Sequence, residues 1–124
     1  GTGQPKREFL YSDDMADACV FLMNLPDDRF ASLLGSDEAK TGIFSPPLVN
    51  VGVGVDLSIA ELAALVGKVV GFSGEIRYDA SKPDGTPRKL MDVARLTALG
   101  WKPTTMLIEG LRQAYSGFVG SHAG

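Results

Sequence analysis

Apolar residues recur at helical spacing in several stretches of the chain and gather into short runs elsewhere. The run Met15, Ala16, Ala18, Cys19, Val20, Phe21, Leu22 and Met23 predicts a helix. Asp13 or Asp14 can cap its start, and Pro26 stops it after about Leu25. Its apolar side chains occupy nearly the whole circumference, so this helix is expected to be covered on most sides, Cys19 as a small core side chain. Ile59, Leu62, Val66 and Val69 mark a second helix. Ser58 and Glu61 form a capping box at its start, and Gly71 is a natural stop at its end. Gly67 lies inside it at a cost of about 1 kcal/mol against alanine, so close packing is expected there. Asp92 can cap a short helix to Ala98 that Gly100 closes, and Thr105 a last helix through Phe118. Residues 120–124 are expected to fray.

Between these about four helices, short strands are expected at Arg7–Ser12, Leu48–Val51 and Glu75–Asp79. Residues 30–47 read as a variable surface loop with one helical turn near Ala31–Leu34, and Gly52–Asp56 as a turn. The pattern is that of an α/β chain with no internal repeat.

A length of 124 residues suits one domain or part of one, and a 44% hydrophobic content is that of a folded protein. The net charge of −3 argues against a broad basic face for nucleic acid, while leaving room for a local cationic pocket. The single cysteine, Cys19, forbids an internal disulfide and fits a reducing compartment, so a cytoplasmic location is expected. No apolar run reaches the length of a membrane span, and no signal-peptide pattern is read. The chain opens on Gly1 with a loop-like Gly-Thr-Gly-Gln-Pro, which suggests a piece of a longer polypeptide.

The densest chemistry lies between Ser81 and Asp92. Pro83-Asp84-Gly85 is a turn in which proline fixes φ, aspartate bonds the backbone ahead and glycine allows φ > 0. Around it stand Lys82, Arg88, Lys89 and Asp92. Two prolines and a glycine are expected to deny the stretch regular structure. A rigid loop of cations and carboxylates suits an anionic, hydroxyl-rich ligand such as a nucleotide diphosphate sugar; a solvated turn satisfies the same residues. Arg7 opens a strand beside Lys6, and its planar fork suits phosphate, although an exposed strand-edge arginine would read the same way.

Other motifs carry less. Gly52-x-Gly54 follows a strand and precedes a helix, yet Leu57 stands where a dinucleotide fingerprint needs its third glycine, so a structural turn is expected. Tyr78 and Lys82 are four apart, but Pro83 keeps Lys82 out of a helix. His122, the only histidine, lies in the expected tail without a positioned partner, and one Cys with one His makes no metal site. No nucleophile–base pair is complete. The residues describe a binding module without its catalyst.

The run Arg7 to Ala18 resembles the Arg-Glu-Phe-Leu-His-Val-Asp-Asp-Leu-Ala-Asp-Ala segment of sugar-nucleotide epimerase/reductases. Asn50-Val51-Gly52-x-Gly54-x-Asp56 resembles a second segment of these enzymes. Ser81 to Asp92 followed by Leu99-Gly100-Trp101 is similar, more specifically, to the GDP-L-fucose synthase family of extended short-chain dehydrogenase/reductases. The likeness spans most of the chain but only the C-terminal, substrate-binding portion of a family member.

It implies conversion of GDP-4-dehydro-6-deoxy-D-mannose to GDP-L-fucose, by epimerisation at C3 and C5 and reduction at C4 with NADPH. It also implies a homodimer whose NADP(H) is bound mainly by a Rossmann domain that precedes this segment. By position, Arg7 would contact the GDP portion of the substrate, Asp84 would take hydroxyl or ring donors, and Lys89 would add charge near the phosphates. The family's catalytic and cofactor residues have no counterpart in this chain. Tyr11-Ser12 replaces the usual His-Val, and Val53 a usual Thr or Ser. Another nucleotide-sugar epimerase or dehydratase of the superfamily, or a non-catalytic interaction module, are the competing readings.

Overall fold

The computed structural model describes residues 1–35 and 48–122. Among them are three short strands and five helices, a mixed α/β arrangement. Strand β1 (Lys6–Glu8) is central, with β2 (Asp56–Ser58) antiparallel on one side and β3 (Arg88–Lys89) parallel on the other. Helix α1 (Ser12–Met23) follows β1, and α2 (Asp27–Gly35) follows Pro26. Helix α3 (Ile59–Val70) continues directly from β2; α4 (Ala94–Ala98) and α5 (Leu107–His122) complete the chain.

Helix α3 matches its sequence signals closely. The Ser58 side chain accepts the Glu61 N–H, and the Glu61 carboxylate accepts the Ser58 N–H at 2.7 Å. The Ser58 N–H, and after it the Ser58 hydroxyl donating at 2.8 Å, hold the Glu61 carboxyl pKa below its ordinary value. Gly71 adopts φ 72°, the left-handed stop that a side chain would resist. Its start is tied to the N-terminal segment, since Ile59 N–H donates to Pro5 C=O and Ala60 N–H to Gly3 C=O. Close packing at Gly67 is not found. A Cβ there would meet Phe72 and Ile76 at 3.9–4.0 Å, ordinary contact. Gly67→Ala is therefore expected to raise stability by about 0.5–1 kcal/mol; a lowered urea midpoint would contradict this packing.

The core is small. Ala18 of α1, Leu96 of α4 and Trp101 are its buried members, flanked by Leu10, Phe21, Leu22, Val49, Val51 and Leu99. Helix α1 is less covered than its composition suggests. Val20 is 56% and Met23 84% exposed, and Cys19 is exposed rather than a core side chain.

Several other expectations are corrected. Strand β1 ends at Glu8, and α1 begins by Ser12 with Tyr11 as an N-cap that makes no side-chain bond. Neither 48–51 nor 75–79 is a strand: both sides of β1 are taken, by β2 and β3. The Ser81–Asp92 loop does hold regular structure, because Arg88–Lys89 finds the open edge of β1. Residues 30–35 are helical within α2, while 36–47 lie outside the described residues. Helix α5 runs through His122, beyond the expected stop at Phe118 and into the stretch expected to fray; 123–124 lie outside the described residues. Asp92 receives the Ala94 N–H at 2.9 Å, an Asx turn leading into α4 rather than a cap on it, and Gly100 closes that helix at φ 100°.

Candidate functional site

The sheet register brings two of the three sequence-derived site residues together. Arg7 of β1 and Lys89 of β3 are direct partners across the parallel pair. Paired residues on adjacent strands share a face, so two cations stand side by side on one face of the sheet. Arg7 is half-buried on a central strand, which removes the strand-edge alternative. Its Nη1 donates to the Lys6 C=O at 2.6 Å, which turns the guanidinium back along its own strand. Neither Arg7 nor Lys89 has a carboxylate partner among the described residues.

Alternation along the strands puts Lys6 and Arg88 on the opposite face, where Arg88 has a carboxylate partner. Arg88 Nε and Nη2 donate to the Asp56 carboxylate, whose side chain is 6% exposed. The bond from Arg88 holds the Asp56 pKa below its ordinary value, and Asp56 raises that of Arg88. Arg88 is thus matched by Asp56, while Arg7 and Lys89 on the other face stay available to an anion.

Asp84, the third residue, engages a different element. Its carboxylate accepts the Thr2 N–H and the Thr2 hydroxyl, the latter at 2.6 Å. The Thr2 hydroxyl is the main reason its pKa lies below the ordinary value. Gly85 at φ 72° makes the turn behind it. Asp84 lines a cleft of about 400 Å³ with Arg77, Tyr78, Asp79 and Pro83. Two of its lone-pair positions are taken by Thr2, leaving acceptor capacity toward that cleft.

Two carboxylates, Glu8 and Asp14, tie distant loops to the elements around these residues. Glu8 receives backbone N–H groups from Val53, Gly54 and Met91. Gly52-x-Gly54 is a structural turn, as expected, and the group that fills it is the Glu8 carboxylate. Asp14, expected as a helix cap, instead reaches across to the loop before α5, accepting the N–H and hydroxyl of both Thr104 and Thr105. Thr105, expected to cap α5, is spent on that contact.

The described residues offer a dinucleotide no cradle: the N–H groups of the glycine turn, which would face a pyrophosphate, are occupied by Glu8. No group of three or more metal-ligating side chains occurs among the described residues. His122 stacks on Phe118 at the exposed end of α5, with ring centroids 4.4 Å apart. Among the described residues, no helix is long and apolar enough to cross a membrane.

No family model matches the chain. It is 48% identical over 119 residues to GDP-L-fucose synthase 1 of Arabidopsis thaliana, covering 96% of this chain and 32% of that protein. It is 46% identical over 119 residues to the GDP-L-fucose synthase of Escherichia coli, covering 96% of this chain and 35% of that protein. Among solved structures, a GDP-6-OMe-4-keto-L-xylo-heptose reductase of Campylobacter jejuni superposes with a TM-score of 0.85 at 37% identity, covering 98% of this chain and 33% of the other. The chain therefore spans about a third of the length of the curated relatives it matches.

Proposed function

We propose, taking the chain as a homologue of the GDP-L-fucose synthases, that it is the C-terminal, GDP-sugar-binding part of such an enzyme. The whole protein would convert GDP-4-dehydro-6-deoxy-D-mannose to GDP-L-fucose by 3,5-epimerisation and NADPH-dependent 4-reduction. The observation that carries this reading is the register pairing of Arg7 with Lys89, two cations without carboxylate partners among the described residues. Arg7 offers its fork to the diphosphate oxygens, and Lys89 adds a second positive charge beside them. Asp84, fixed by Thr2, accepts from sugar hydroxyls or from ring N–H groups.

NADP(H) supplies the hydride. Its binding belongs mainly to a Rossmann domain outside this chain, a reading supported by Glu8 filling the glycine turn at 52–54. The chain alone binds and orients the nucleotide and transfers nothing. A homodimeric whole protein in the cytoplasm, without nucleic-acid or membrane partners, completes the proposal.

Calorimetric titration of GDP and of UDP into the folded chain tests it. GDP is expected to bind, to weaken as salt screens the two cations, and to be preferred over UDP. Equal binding of UDP would instead favour another nucleotide-sugar enzyme of the superfamily.

A further inference from the structure

Glu8 follows Arg7 on the central strand and faces the opposite side of the sheet. Its Oε1 accepts the N–H groups of Val53 at 2.5 Å and Gly54 at 2.6 Å; its Oε2 accepts the Met91 N–H at 3.0 Å. Successive backbone N–H groups converging on one oxygen form an anion-binding nest. A Cβ built on Gly52 would stand 2.5 Å from Oε1, so a side chain there would push the carboxylate out of the position it holds. The turn does hold an anion, and that anion is part of this chain.

The three donors come from two segments that must be held to β1. Val53 and Gly54 lead into β2, and Met91 lies two residues beyond Lys89. Strand β3 has only two residues, and a ladder so short specifies its own register weakly. It is pinned at its start by Lys6 N–H donating to Pro87 C=O at 2.8 Å, and past its end by Met91 N–H on Glu8.

We propose that Glu8 is a positioning residue that fixes Lys89 beside Arg7 and so sets the affinity for the diphosphate. Removing its side chain leaves a nest that accepts a small free carboxylate. This inference rests on the GDP-sugar reading given above.

The test is Glu8→Ala with formate as the probe, and Glu8→Gln as the variant that keeps the side-chain volume. GDP affinity is expected to fall about tenfold in both, since one of the two cations loses its place. Formate at roughly 50 mM should restore most of it in Glu8→Ala, whereas uncharged formamide should not. In Glu8→Ala/Lys89→Ala, formate should restore nothing, because the residue acted upon is gone.

Amide chemical shifts of Val53, Gly54 and Met91 in Glu8→Ala give a readout independent of GDP and should move on adding formate. If the wild type fails to bind GDP while these shifts move, the GDP-sugar reading has failed and the nest stands. If the shifts stay fixed, or if Glu8→Ala binds GDP as the wild type does, the proposal is overturned. Should Glu8→Ala fold only with formate, the nest is confirmed; if neither variant folds with or without formate, Glu8 is a structural residue alone and the proposal falls.

Discussion

Trp101→Ala is expected to remove about 3–5 kcal/mol of folding stability. Against a typical total of about 5–15 kcal/mol, that leaves a chain of this size at the edge of unfolding. The size of the effect follows from how little else is fully buried. Trp101 is 5% exposed and packs with Ala18 and Leu96, and no other cluster of buried apolar residues stands among the described residues. It also joins two elements, because its Nε1–H donates to Asp17 of α1 at 2.8 Å. Trp101→Phe keeps most of the ring and loses that bond, at a cost nearer 1 kcal/mol. Urea midpoints at unchanged slope would read the difference. Equal midpoints for the two variants would mean that the packing of this ring contributes little.

Asp14→Ala is the second large effect. Asp14 is 5% exposed and accepts four bonds, two from backbone N–H groups and two from hydroxyls of Thr104 and Thr105. Hydrogen bonds to a charged group contribute about 1.5–3 kcal/mol, and a loss of about that size is expected. The same contact makes stability depend on pH. Burial alone would raise the Asp14 pKa, but bonds from Thr105 and Thr104 outweigh it and hold the group below its ordinary value of 3.8.

A carboxyl whose folded pKa is depressed stabilises fully above its unfolded pKa and loses that contribution as pH falls through the folded one. Stability is therefore expected to fall below about pH 4, since that is where the unfolded chain begins to take up the proton. Asp14→Asn should show a lower plateau near neutrality and a shallower acid limb. Parallel acid limbs in the wild type and the variant would show that Asp14 is not responsible.

What could be read from the sequence divides by the range of the interaction. The Ser58–Glu61 box and Gly71 are local devices, complete within a turn or two of helix, and both stand as expected. Asp14 obeys the same composition rule for a cap, yet its partners lie ninety residues away, and a tertiary contact overrode the local preference. The apolar runs at 48–51 and 75–79 have strand character, yet β1 takes β2 and β3 as its two partners and neither run joins the sheet. Arg88 and Lys89 lacked that character, and the open edge of β1 made them a strand. Cys19 and Met23 read as core because α1 is apolar nearly all round; in this chain their side of the helix has little over it.

For the candidate site, Arg7 and Lys89 are legible as cations suited to phosphate, and the resemblance supplies their roles toward GDP; their adjacency comes from register, which no spacing of 82 residues can encode. Glu8 was missed because its partners are backbone groups, which every residue carries.

The most direct test of the nucleotide-sugar site is a calorimetric titration of GDP at low salt into the wild type and into Arg7→Ala/Lys89→Ala. Folding of each should be checked by circular dichroism. The paired-cation site predicts measurable binding by the wild type and at least about a hundredfold loss in the double variant, roughly tenfold for each phosphate contact removed. Unchanged GDP affinity in a folded double variant, or no GDP binding by the folded wild type, would contradict it.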